Sequence, residues 1–122
     1  VPTSLPALMQ AQKVSKKAAA VGFEWENVED VWAKVAEERA EFDAEEPGTD
    51  ARAMEFGDLL FALVNVARKE GIDAESALRA STAKFRRRWA AMEQMAADAH
   101  VDLAELSTHG LNDLWDAAKA EE

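Results

Sequence analysis

The stretch KVAEERAEF (Lys34–Phe42), followed after a short break by AMEFGDLLF (Ala53–Phe61), sets five carboxylates among the Val, Phe and Leu residues that build a core. Both segments have helical spacing. With Val31 at zero on a wheel of about 100° per residue, Val35 falls near +40°, Phe42 near +20° and Glu38 near −20°. Glu38 therefore stands inside the apolar stripe, Glu41 flanks it, and Glu37 turns away. On the next helix Phe56, Leu59, Leu63, Val66 and Ala67 form the expected main stripe. Glu55 and Asp58, three apart, share one edge of it.

An ionised carboxylate at a core position is costly unless it is paired or coordinates a metal. Four of them converging from two adjacent helices cannot all stay ionised without cations. Hard oxygen ligands suit Mg²⁺, or Mn²⁺, with phosphate oxygens able to complete the shell. Glu38 and Glu41 facing Glu55 and Asp58 thus describe a cage for Mg²⁺. The ordinary reading of such a run is a solvated acidic face, ion-paired to Lys34 and Arg39. The central place of Glu38 and the second carboxylate pair outweigh it.

Outward from these segments the chain reads as all-α. It has 122 residues, five Gly, three Pro, no Tyr and no Cys. That length suits one domain, and without Cys there is neither disulfide nor thiolate metal site. Such a composition fits a reducing cytoplasm, the expected location. No apolar run approaches the roughly 18–20 residues of a membrane span, and no signal-peptide pattern is visible. The net charge of −10 disfavours polymeric nucleic acid as a partner. Helices are expected over about 4–20, from Asn27 as N-cap to about 45, from Asp50 as cap to Gly71, and from Asp73 as cap to about 99. A last short helix over about 111–120 follows the connector HVDLAELSTHG. Short links between the helices predict a four-to-five-helix bundle.

The ordered set of Glu37, Glu38 and Glu41, then thirteen residues, then Glu55 and Asp58 resembles the all-α nucleoside triphosphate pyrophosphohydrolases of the MazG superfamily. LPALMQAQKVSKKAAAVGFEW, GDLLFALVNVAR, KFRRRW and LWDAAK continue the likeness in order, from Leu5 to Lys119. The opening stretch is similar to that of the C-terminal domain of the bacterial members. With a start at Val-Pro rather than Met, residues 1–122 are expected to be one catalytic domain of a longer chain. The resemblance implies Mg²⁺-dependent cleavage of a (deoxy)nucleoside triphosphate between the α and β phosphates, giving monophosphate and pyrophosphate. It leans toward broad base specificity and nucleotide-pool cleaning. Glu38, Glu41, Glu55 and Asp58 match the metal ligands, and Glu37 matches the first Glu of the motif, which could support the ligands from behind or help to orient water. A metal-activated water is the expected nucleophile, with Glu38 or Glu41 as assisting base.

A triphosphate needs cations as well. Lys84 and Arg88, four apart on one flank of the fourth helix, match the family's phosphate-contacting pair. Lys119 resembles a further phosphate-side residue and Trp115 an active-site aromatic. Asn65 lies seven after Asp58 on the same edge, where it could meet ribose or base or could serve as a buried polar contact. The fourth helix is expected to bury Leu78, Thr82, Phe85, Trp89, Met92 and Ala96. Met54, Phe61 and Val64 give the third helix a second apolar face, which predicts a homodimer at least, as does the resemblance. Two other readings are weaker: a catalytically weak helical module that dimerises or binds nucleotide, and a di-iron bundle, which would want E-x-x-H pairs.

Overall fold

In the computed structural model, which describes residues 1–122, local caps set most helix boundaries. α1 (Ala7–Ala20) begins behind Pro6, where a missing N–H is harmless. It closes with Gly22 at φ +100°, while the Phe23 N–H reaches back to the Ala18 carbonyl at 3.0 Å. α2 (Val28–Ala44) is capped by Asn27, whose side chain accepts from the Asp30 N–H at 3.0 Å. α3 (Asp50–Lys69) is capped by Thr49, which accepts from the Arg52 N–H at 3.2 Å. The expected cap was Asp50, but that residue is already helical and adds first-turn negative charge instead. Asp73 accepts from the Ser76 N–H at 3.0 Å as α4 (Ala74–Asp98) begins. The connector holds a 3₁₀ turn (Leu103–Glu105). α5 (Thr108–Ala120) starts earlier than expected because Ser107 caps it, accepting from Gly110 at 3.1 Å. The chain is thus all-α, with five α-helices and no strand.

Two compact units divide it, Val1–Ala77 and Leu78–Glu122. In the first, α3 packs against both α2 and α1. Val31 is fully buried on α2. Phe42 meets Phe56 with ring centroids 5.7 Å apart, and the Arg52 guanidinium lies 4.2 Å from the Phe42 ring. Gln12 of α1 straps the α3–α4 turn, donating to the Ile72 carbonyl at 2.7 Å and accepting from the Ala74 N–H at 2.8 Å. On α3 the buried residues are Ala62, Val64, Asn65 and Val66, whereas Phe56 and Leu63 are half exposed. This corrects the expected stripe. Val66 of that stripe is buried as expected, Leu59 and Ala67 are partly covered, and burial reaches Ala62 and Asn65, one and two turns beyond the exposed Asp58.

In the second unit the α4 stripe is buried only at Met92 and Ala96; Leu78, Phe85 and Trp89 stay exposed, Phe85 by 54%. The partner helix in that unit explains part of this, since the 13-residue α5 is about half as long as the 25-residue α4. Of the second face expected on α3, Val64 is buried within the chain, while Met54 is 68% and Phe61 40% exposed.

Candidate functional site

Glu38 keeps its place in the α2 core line: the residue is 6% exposed. One carboxylate oxygen lies 3.1 Å from Lys34 Nζ, one turn back. The other, Oε2, is buried without a hydrogen-bond partner, and so is Oε2 of Glu55 on α3. Oxygens of Glu38, Glu55 and Asp58 lie within 4.8 Å of one another. Three carboxylates this close, two with orphaned buried oxygens, carry more negative charge than Lys34 offsets. The donor set is all hard oxygen, so it fits a divalent cation such as Mg²⁺.

Glu41 is exposed and stands outside this trio. Its carboxyl is nevertheless pushed up from the usual value, first by the hydrogen bond it shares with Glu38, then by the charges of Glu38 and Glu55. Glu37 points to solvent and pairs with Lys34 at 3.3 Å. Lys34 is itself held charged by Glu38 and then Glu37.

A cleft of about 590 Å³ opens beside the carboxylates. Lys34, Glu38 and Asp58 line it together with Phe23, Trp25, Phe61 and Asn65. Asn65 is 2% exposed, and both ends of its amide are engaged: Nδ2 donates to the Phe61 carbonyl at 3.3 Å, and Oδ1 accepts from Arg68 at 3.4 Å. Asn65 thus makes polar contacts within the fold and also lines the cleft. A smaller cavity of about 200 Å³ shares Phe23, Trp25, Phe61 and Asn65 and extends to Ser15 and Ala18 of α1.

Residues of the α1–α2 connection, at the end of the stretch LPALMQAQKVSKKAAAVGFEW, shape this cleft. Glu24 meets Arg68 through both carboxylate oxygens, at 2.5 and 2.8 Å. Lys69 donates to the Trp25 carbonyl at 2.6 Å. The Arg68 guanidinium holds the Glu24 carboxyl down at about 2. One available signal was the spacing of Asn65 and Arg68, three apart, which puts a cation at the end of the site-facing line of α3.

The cationic candidates lie in the second unit. Arg88 stacks 5.1 Å from the Trp115 ring and forms a two-pronged pair with Glu122, at 2.9 and 3.1 Å. Trp115 also meets Phe85 at 5.4 Å. Glu122 is pulled down by Arg88 first and more weakly by Arg87 and Lys84, so these basic residues gather round one carboxylate. Lys84 and Lys119 are exposed. His100 and His109 are exposed as well, His109 sitting 3.5 Å from Asp113.

No family model matches the chain. It is 39% identical over 126 residues, all of its own length, to an Escherichia coli K12 protein named nucleoside triphosphate pyrophosphohydrolase, covering 48% of that protein. It is 39% identical over 117 residues, 94% of its length, to a Thermotoga maritima protein named nucleoside triphosphate pyrophosphohydrolase/pyrophosphatase MazG, covering 45% of it. A Bacillus subtilis protein named YabN, described as uncharacterized, is 49% identical over 68 residues, 56% of this chain and 14% of the relative. The chain spans about half the length of the two pyrophosphohydrolases it matches.

Proposed function

We propose that this chain, 39% identical over all or nearly all of its length to proteins named nucleoside triphosphate pyrophosphohydrolase, is a MazG-type nucleoside triphosphate pyrophosphohydrolase. It would cut a (d)NTP between the α and β phosphates and release pyrophosphate. The observation that carries this reading is the cluster of Glu38, Glu55 and Asp58, of which Glu38 and Asp58 line a cleft that also holds aromatic side chains. Carboxylates alone could belong to any metal site. Carboxylates beside Trp25, Phe23 and Phe61 suit a ligand that is polyanionic at one end and flat at the other.

Glu38, Glu55 and Asp58 would hold Mg²⁺, with Glu41 as the remaining candidate ligand. When bound, such an ion supplies Lewis-acid polarisation of a phosphate oxygen and a more acidic water. The chain's own groups do the rest. Lys34 neutralises and orients one oxygen of Glu38. Glu41, with its raised carboxyl, or Glu38 can accept the proton of the attacking water. Lys84, Arg88 and Lys119 are assigned to the polyphosphate, where an arginine fork matches phosphate geometry, and Trp115 supports Arg88 from its ring face.

Broad base specificity belongs to the same reading. A homodimer is proposed on the exposed apolar residues of α3 and α4. No helix is long and apolar enough to cross a membrane, and a cytoplasmic place is the assignment consistent with the absence of cysteine.

The test is pyrophosphate release over a panel of NTPs and dNTPs, with and without Mg²⁺. Turnover is expected only with the metal, and Asp58→Asn is expected to remove it. Silence across the panel from the folded chain would refute the assignment.

A further inference from the structure

The connection between α1 and α2 supplies Phe23 and Trp25 to the cleft, but it is not itself helical. Its internal hydrogen bonds are local, such as the Glu24 N–H to the Gly22 carbonyl at 3.0 Å and the Trp25 N–H to Glu24 Oε1 at 2.9 Å. Left to these, the connection would share the mobility of ordinary loops. What ties it to α3 is the Glu24–Arg68 fork, joined by Lys69 on the Trp25 carbonyl.

That tie is stronger than a surface ion pair. The Arg68 side chain is 11% exposed, its Nε is buried without a partner, and Nη2 also reaches Asn65 Oδ1. A two-pronged arginine–carboxylate pair fixes orientation as well as distance. Through Asn65 the chain of bonds runs on to the backbone of Phe61, the aromatic on the α3 side of the cleft. The polar network therefore ties the connection that carries Phe23 and Trp25 to α3, the helix that carries Phe61.

We infer that Glu24 and Arg68 are positioning residues for the nucleoside, a clasp that holds Phe23 and Trp25 opposite Phe61 so that a base can enter between preset aromatic surfaces. The inference rests on the pyrophosphohydrolase reading above and adds to it the residues that set nucleoside affinity. Neither Glu24 nor Arg68 touches the reacting phosphates in this scheme. Breaking the clasp weakens binding of the nucleoside and leaves the chemical step intact.

The experiment uses the full chain carrying Glu24→Gln, Arg68→Met, or the exchange Glu24→Arg with Arg68→Glu. Steady-state pyrophosphate release gives KM and kcat for an NTP. Calorimetry gives the Kd of a non-hydrolysable α,β-imido NTP, and competition gives the inhibition constant of inorganic triphosphate, which has no nucleoside. Each single variant is expected to raise KM and the analogue Kd about tenfold with kcat within about twofold. Inorganic triphosphate should bind as to wild type, and the exchange should recover most of the lost affinity. Should Arg68→Met fail to fold by circular dichroism, Arg68→Lys and Glu24→Gln carry the same comparison. Unchanged KM and Kd in folded single variants overturn the clasp. Equal weakening of inorganic triphosphate overturns it too, since the effect would then be general. A wild type that neither turns over nor binds the analogue removes the pyrophosphohydrolase reading, and the clasp with it. That result differs from an active wild type with indifferent variants.

Discussion

Glu38→Gln should reverse its effect on stability when Mg²⁺ is added. In the metal-free chain Glu38 Oε2 is a buried charged oxygen without a partner, a burden of about 1–3 kcal/mol. Glutamine removes the charge, and its NH₂ can donate to the carboxylates of Glu55 or Asp58 nearby. The variant loses the Glu38–Lys34 pair at 3.1 Å. Lys34 is partly solvated and keeps Glu37, so that loss is about 0.5–1 kcal/mol. The net is a metal-free variant more stable than wild type by about 1 kcal/mol, or roughly 4 °C in Tm for a chain of this size. With Mg²⁺ at 100 times its Kd the wild type gains about 2.7 kcal/mol by mass action, whereas the variant gains little. Wild type then leads by about 1–2 kcal/mol. Thermal unfolding of both proteins in chelator and in a Mg²⁺ series reads the crossing directly. A variant destabilised under both conditions, or one stabilised by Mg²⁺ as much as wild type, would refute the reasoning that a cation is what the orphaned oxygen awaits.

Acid should weaken the fold through Glu24. Its folded pKa, lowered from 4.5 to about 2, means the contribution is complete above pH 4.5 and is lost as pH falls toward 2. The drop sets a ceiling of about 3 kcal/mol, which solvent screening of the partly exposed carboxylate reduces to about 1.5 kcal/mol. Urea midpoints between pH 6 and pH 2 should fall more steeply for wild type than for Arg68→Met, and parallel curves would contradict the assignment. Arg88→Lys keeps the charge but loses the fork seen against Glu122; KM for an NTP should rise about tenfold with kcat less affected. Met54→Lys should shift sedimentation at micromolar concentration from dimer toward monomer, and a wild type that sediments only as a monomer would end the dimer proposal.

Helix content was legible because Asn27, Asp73 and Gly22 act locally, and local signals survive in any tertiary setting. Glu38 was legible for a related reason: a charge inside an apolar stripe is a conflict visible on a wheel. The burial of α3 was not. Both α1 and α2 pack on that helix, and a stripe drawn for the largest side chains favoured Phe56 and Leu63 over the smaller Ala62 and Asn65. Small residues allow close approach without advertising it in hydrophobicity. Arg68 and Glu24 escaped notice because they stand 44 residues apart. No short-range pattern links a loop carboxylate to an arginine at the far end of another helix. Thr49 replaced Asp50 as cap by one position, a difference that depends on which residue turns extended.

The three clustered carboxylates span only Glu38 to Asp58, within two helices joined by the turn at residues 45–49. Closing so short a segment involves little chain entropy, and its contacts are local in sequence. The metal-binding half of the site should therefore form with the α2–α3 hairpin, early and as a unit. The Glu24–Arg68 tie closes a much longer loop and should form later. In amide exchange, the hairpin would be the last part of the first unit to open, and the aromatic side of the cleft would open before it.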